Sequence, residues 1–160
     1  MKRLTFLSVI ALLTTLVTNT VSAQPSGHEG RDIEGAWLAT WTFTKSSVPF
    51  VPVGYSFSAL HAFHAGGTLT SVDDDFFDST GIGAWERTDE RKYKFAFDFF
   101  VADDQTPGHA AALVGYVTAR ITYNPHQGRW VGTFRSTLKD RNGNVIGEFA
   151  GDVVANRIVP

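Results

Sequence analysis

Large apolar residues alternate with small or polar ones through most of this chain, and the alternation opens at residues 35–43, Gly-Ala-Trp-Leu-Ala-Thr-Trp-Thr-Phe. Trp37, Ala39, Trp41 and Phe43 fall on one side, with Ala36, Leu38, Thr40 and Thr42 on the other. This period of two describes a strand with one buried face. The same period returns at residues 54–64, where Tyr55, Phe57, Ala59, His61 and Phe63 share a face. At residues 92–101, Tyr93, Phe95, Phe97 and Phe99 do so, with Lys92, Lys94, Ala96 and Asp98 turned to water. Further strands are expected at residues 68–72, 81–88, 111–123, 129–139 and 144–158.

The breaks between these runs carry turn chemistry. Ala65-Gly66-Gly67 supplies positive-φ positions for a tight hairpin, and Asn142-Gly143 is a strong hairpin signal between alternating segments. Residues 45–53 hold Pro49 and Pro52, which exclude a central strand or a helix, so they form a loop. Its apolar members Val48, Phe50 and Val51 suit a loop that folds over the open end of a barrel. About eight consecutive strands with short connections predict an all-β fold, an antiparallel up-and-down β-barrel. Eight strands enclose an interior that side chains fill or that holds one small ligand.

Residues 1–23 have a different pattern: basic Lys2 and Arg3, an apolar run over residues 4–17, and small residues at Val21-Ser22-Ala23. That is a cleaved secretory signal, since the run is shorter than the roughly 20 residues that cross a bilayer. The mature protein is therefore expected to be secreted or periplasmic, with no membrane contact after cleavage. Residues 24–33 read as a flexible linker and residues 34–160 as the barrel domain. The chain has no cysteine, so neither a disulfide nor lipid attachment at a lipobox is possible and burial alone is expected to hold the fold. Loss of Lys2 and Arg3 leaves twelve basic against sixteen acidic residues, a net charge of −4. No basic face for nucleic acid follows from that balance. No feature marks an oligomer interface.

Thirteen Phe, four Trp and four Tyr are more ring volume than a minimal core requires, a hint of a lined cavity. Gly81, Gly83, Gly115, Gly132, Gly147 and Gly151 recur along the strands and are expected to leave space beside the rings.

Gly35-Ala36-Trp37 resembles the Gly-X-Trp opening of the lipocalin and wider calycin group. In that group an Arg from the far end of the barrel lies across the Trp and closes the bottom. Arg157, in Ala155-Asn156-Arg157-Ile158, stands where such a residue is expected. The resemblance implies a barrel that binds a small hydrophobic ligand, with Trp37 and Arg157 structural. The chain departs from the group at Thr88-Asp89, which lies in mid-chain and continues with Glu90 instead of Tyr. Size and strand pattern are also similar to allene-oxide-cyclase-like barrels, which implies an alternative: a cofactor-free isomerase or cyclase shaping an apolar substrate. A third option is a structural protein with a solid core.

The residues expected to face a ligand are Trp41, Phe43, Tyr55, Phe57, His61, Phe63, Trp85, Phe95, Phe97, Phe99, Tyr116, Trp130 and Phe134. Trp37 instead plugs the closed end. In an enzyme, His61 or Tyr55 would supply the proton function, His61 because its ordinary pKa lies near neutrality. The bland alternative is a His satisfied by a neighbouring strand. His64 points the opposite way, so the pair offers no metal site. Tyr116, Thr118 and Arg120 share a face, as do Glu148, Asp152 and Asn156. Inward, they would form a buried Arg–carboxylate pair, but the alternation of Val117, Ala119 and Ile121 turns Arg120 outward. Asp73, Asp74, Asp75 and Asp78 lack the spacing of a calcium loop and read as a solvated turn. There is no phosphate loop, nucleophile elbow or cysteine nucleophile, and no cofactor is implied.

Overall fold

The computed structural model describes residues 32–74, 78–102 and 112–159. The expected signal and most of the expected linker lie outside the described residues. Eight strands follow one another: β1 (Gly35–Ser46), β2 (Ser56–Phe63), β3 (Thr68–Asp73), β4 (Gly81–Asp89), β5 (Lys92–Val101), β6 (Leu113–Asn124), β7 (Arg129–Asp140) and β8 (Val145–Arg157). Each pairs antiparallel with the next, and β8 pairs with β1, so the sheet closes into an up-and-down barrel. Closure gives every strand two hydrogen-bonded neighbours and removes the free edges of an open sheet. The architecture is compatible with a calycin-like fold.

The turns form where the sequence places them. Gly66 and Gly67 adopt φ of 88° and 85° between β2 and β3. At the β7–β8 turn, Asp140 Oδ1 accepts the backbone N–H groups of Asn142 and Asn144 at 2.8 and 2.9 Å. The Asn144 side-chain amide, which donates to Oδ2 at 2.8 Å, and then these backbone bonds hold the Asp140 carboxyl below its usual pKa.

Inward positions follow the period of two, and the lower end of the barrel is closed by a compact plug. The Arg157 guanidinium lies 4.4 Å from the centre of the Trp37 ring. Its Nη1 donates to the Glu34 carbonyl at 2.7 Å, and its Nη2 donates to the Asp32 carbonyl. Trp37 Nε1 donates to the Ile33 carbonyl at 2.8 Å. Ile33, counted from composition as the end of the linker, is fully buried in the core. The packed domain thus includes the residue before Glu34, because the bottom of the barrel needs an apolar cover and Ile33 supplies it. Stacking of a guanidinium on an indole contributes about 0.5–2 kcal/mol, and the carbonyl bonds tie the β8 end to the chain ahead of β1.

Wall height is uneven. β3 has six residues and stops opposite Ala59, whereas β6 and β7 have twelve each and β8 has thirteen. Register shifts between Phe43 and Lys45 on β1 and between Leu138 and Lys139 on β7 sharpen the twist near the upper rim.

Replacing Trp37 with Ala should lower unfolding free energy by about 3–5 kcal/mol, as for other fully buried large rings. Urea titration followed by circular dichroism measures it; a loss below about 1 kcal/mol would mean that the plug does not hold the lower end.

Candidate functional site

The interior has two layers. The lower one is solid: Trp37 meets Tyr123 edge-on at 5.6 Å, and Trp130 packs against Phe63 at 6.4 Å and Phe95 at 6.1 Å. The upper one encloses a cavity of about 540 Å³ open at the rim. Its walls are Trp41, Phe43, Phe57, Phe97, Phe99, Val117, Phe134, Leu138 and Phe149, with Phe50 and Val51 of the β1–β2 loop at the mouth. The loop with Pro49 and Pro52 therefore does border the open end.

Trp41 forms the floor between the layers. Its ring stacks on Phe57 at 6.1 Å and meets Phe134 edge-on at 4.7 Å, while its Nε1 donates downward to His61 Nε2 at 3.1 Å. That bond makes Nε2 the acceptor, so neutral His61 carries its proton on Nδ1. Nδ1 has no hydrogen-bond partner among the described residues. Burial among aromatic rings lowers the His61 pKa to about 3, because the charged imidazolium cannot be solvated there.

Seven of the residues expected to face a ligand line this cavity: Trp41, Phe43, Tyr55, Phe57, Phe97, Phe99 and Phe134. Phe63, Trp85, Phe95 and Trp130 point inward as well, but they pack in the lower layer. His61 is also below the floor, with its acceptor nitrogen occupied by Trp41, so it presents no base to the cavity. Tyr55 stands at the rim, half exposed. Tyr116 lies on the outer wall with Thr118 and Arg120, 46% exposed. Gly115, Val117 and Ala119 take the inward positions of β6, and a period of two then forces Tyr116 out. Glu148, Asp152 and Asn156 are likewise exposed, so no Arg–carboxylate pair enters the barrel. His64 is exposed and hydrogen-bonds the Thr70 hydroxyl at 3.1 Å.

The glycines do not create the space. The Phe99 ring lies over Gly115, where an added Cβ would meet it at 2.2 Å, and Phe134 lies over Gly151, where the gap would be 2.6 Å. Rings fill the notches that these cross-strand glycines leave. The cavity opens instead where the inward residues are short: Ala59 on β2, Ser71 on β3, Val117 on β6 and Ser136 on β7.

Sequence reasoning missed the polar part of the lining. Ser71 and Ser136 are buried, Asp73 and Asp78 are half-buried, and all four face the cavity. Asp73 was legible from parity, since Leu69, Ser71 and Asp73 share one face of β3. Its place in an acidic run concealed it. Among the described residues no group of three His, Cys, Asp or Glu side chains is arranged to hold a metal ion.

No protein-family model and no curated protein matches the chain.

The depressed His61 pKa makes folding pH-dependent. Between pH 6.5 and about 3 the unfolded chain binds a proton that the native state refuses. The contribution is intact above pH 6.5 and is lost as pH falls, at up to about 1.4 kcal/mol per pH unit. His61→Gln keeps an acceptor for Trp41 and should flatten the fall in stability between pH 6 and 4.5, where carboxylates contribute least. Equal slopes for both proteins in denaturant titrations would show that His61 is not buried in its neutral form.

Proposed function

We propose that this protein is a lipocalin-like binder of a small hydrophobic or aromatic molecule, exported by its leader and acting in the periplasm or outside the cell. The observation that carries the reading is the cavity of about 540 Å³ above a solid lower core. Its volume lies within the roughly 300–1,000 Å³ of small-molecule sites, and its lining matches their composition, apolar walls with a few polar groups. A floor fixed by the Trp41–His61 bond supports the same reading, because a preformed wall avoids the ordering cost that weakens binding. The site offers shape and burial, each Å² of apolar ligand surface being worth about 25 cal/mol.

Naphthylethanol is a suitable first probe. At 100 times its dissociation constant it should stabilise the fold by about 2.7 kcal/mol and change Trp41 emission. Leu138→Trp, which places a ring into the cavity from the wall, should weaken that response at least tenfold while the protein still melts cooperatively. Unchanged melting and emission across a panel of neutral apolar probes would sink the proposal.

A further inference from the structure

The outer wall holds a second concave region, built from the face of β6 that carries Tyr116, Thr118 and Arg120. Cross-strand register puts Ala84, Ala96, Thr118 and Arg135 in one row across β4, β5, β6 and β7. The next row towards the closed end is Glu86, Lys94, Arg120 and Thr133, and Tyr116 stands on the other side of Thr118. Ala84, Ala96 and Thr118 are short, so the middle row sinks between longer side chains and leaves a furrow of about 480 Å³. Three inter-strand steps of about 4.8 Å make it roughly 14 Å long.

The charges of this furrow are unbalanced. Lys94, Arg120 and Arg135 line it against one carboxylate, Glu86, which Lys94 holds at 2.8 Å. Neither Arg120 nor Arg135 has an ion pair or a side-chain hydrogen bond among the described residues. Glu148 and Asp152 of β8 stand diagonal to Arg135, yet neither pairs with it. Arg120 lies directly opposite Lys94 and diagonal to Arg135. Like charges directly opposite destabilise a sheet, and diagonal neighbours about 7–8 Å apart stay within reach of long side chains. A chain of net charge −2 has acids enough to separate these cations, and it groups them instead. An anion lying between them offsets that repulsion.

The neighbouring groups narrow the class of anion. A guanidinium donates in a planar fork that fits two oxygens of a sulfate, phosphate or carboxylate group. Around the two forks, Tyr116, Thr118 and Thr133 offer hydroxyls that both donate and accept. Tyr116 is exposed, and its ring gives the apolar face of a sugar a surface to lie against. Cations and hydroxyls over a floor of alanines match a polyol that carries oxyanion groups, and an open furrow gives an apolar ligand little burial.

We infer that the furrow across the outer face of β4–β7 binds an acidic saccharide, with Arg120 and Arg135 on its oxyanion groups and Tyr116, Thr118 and Thr133 along its hydroxyls. This site is separate from the interior cavity and does not depend on the cavity holding a ligand.

Sucrose octasulfate is the probe, with sucrose and inorganic sulfate as the neutral and the unattached counterparts, each titrated into the protein by calorimetry at low and high salt. The octasulfate should bind about tenfold or more tighter than sulfate, through several linked contacts, and its affinity should fall as salt rises, while sucrose gives no binding heat. R120Q/R135Q should weaken the octasulfate at least about tenfold. K45Q/K139Q, which removes two exposed lysines from other parts of the strands, should change it by less than about threefold. Equal losses in the two double variants would overturn the assignment, since overall charge and not the furrow would hold the probe. Sulfate bound as tightly as the octasulfate would overturn the saccharide class, and no octasulfate binding at low salt would remove the site. Without ligand, R120Q should melt no lower than the unmodified protein, because Lys94 loses a like-charged neighbour; a clear fall would mean that Arg120 serves the fold and would count against the site. If the double variant does not melt cooperatively, R120Q and R135Q singly apply the same criterion.

Discussion

The hydrogen bond from the Trp41 indole to His61 sets the level at which this barrel stops being solid. Trp41 is the largest side chain at mid-height, and an indole turned upward would occupy the space that is now open. Its N–H has one acceptor below, and that acceptor is available only because His61 stays neutral. Burial of the imidazole is thus coupled to the position of the floor. The ring is unavailable as a base for chemistry in the cavity above. The residue that reads in sequence as a catalytic candidate instead supports the floor of the cavity.

Solid packing and open volume consequently occupy different heights of the same strands. The lower half contains the stacked guanidinium, the completely buried Ile33 and Trp37, and a continuous cluster of rings. The upper half has shorter inward residues between its rings and a rim that is lowest along β3. Substitutions in the upper half therefore remove few of the contacts that fix the closed end. Cross-strand glycines under Phe99 and Phe134 let these rings lie against the wall instead of projecting into the open volume.

Most of the fold was legible in the chain because a period of two is a geometric property of strands, and eight such runs with short turns have few ways to close. The Trp37–Arg157 contact was legible for another reason: a two-residue motif near one end of the chain and an arginine near the other fit a single known arrangement. The boundary between filled and open interior was not legible. It depends on which rings tilt over glycines and on where short residues from four strands coincide in height, and both are set by register. Tyr116 illustrates the cost of ignoring parity, for it stands one position out of phase with Val117. Asp73 illustrates the opposite error, a residue in phase with Leu69 and Ser71 but assigned to solvent on account of its charge. Ile33 was misplaced because composition describes the linker but not the cover that the plug requires.

The seam between β1 and β8 carries a kinetic meaning. Arg157 reaches back 123 residues to the Glu34 carbonyl, and β1 gains its second hydrogen-bonded neighbour only from the last strand. Loop closure over such a separation costs entropy before any seam contact can form, and folding slows as contacts become more distant in sequence. Hairpins from β2 to β7 can assemble earlier, but the sheet keeps two unsatisfied margins until β8 arrives. The barrel is therefore completed late, in a step that unites the two ends of the domain.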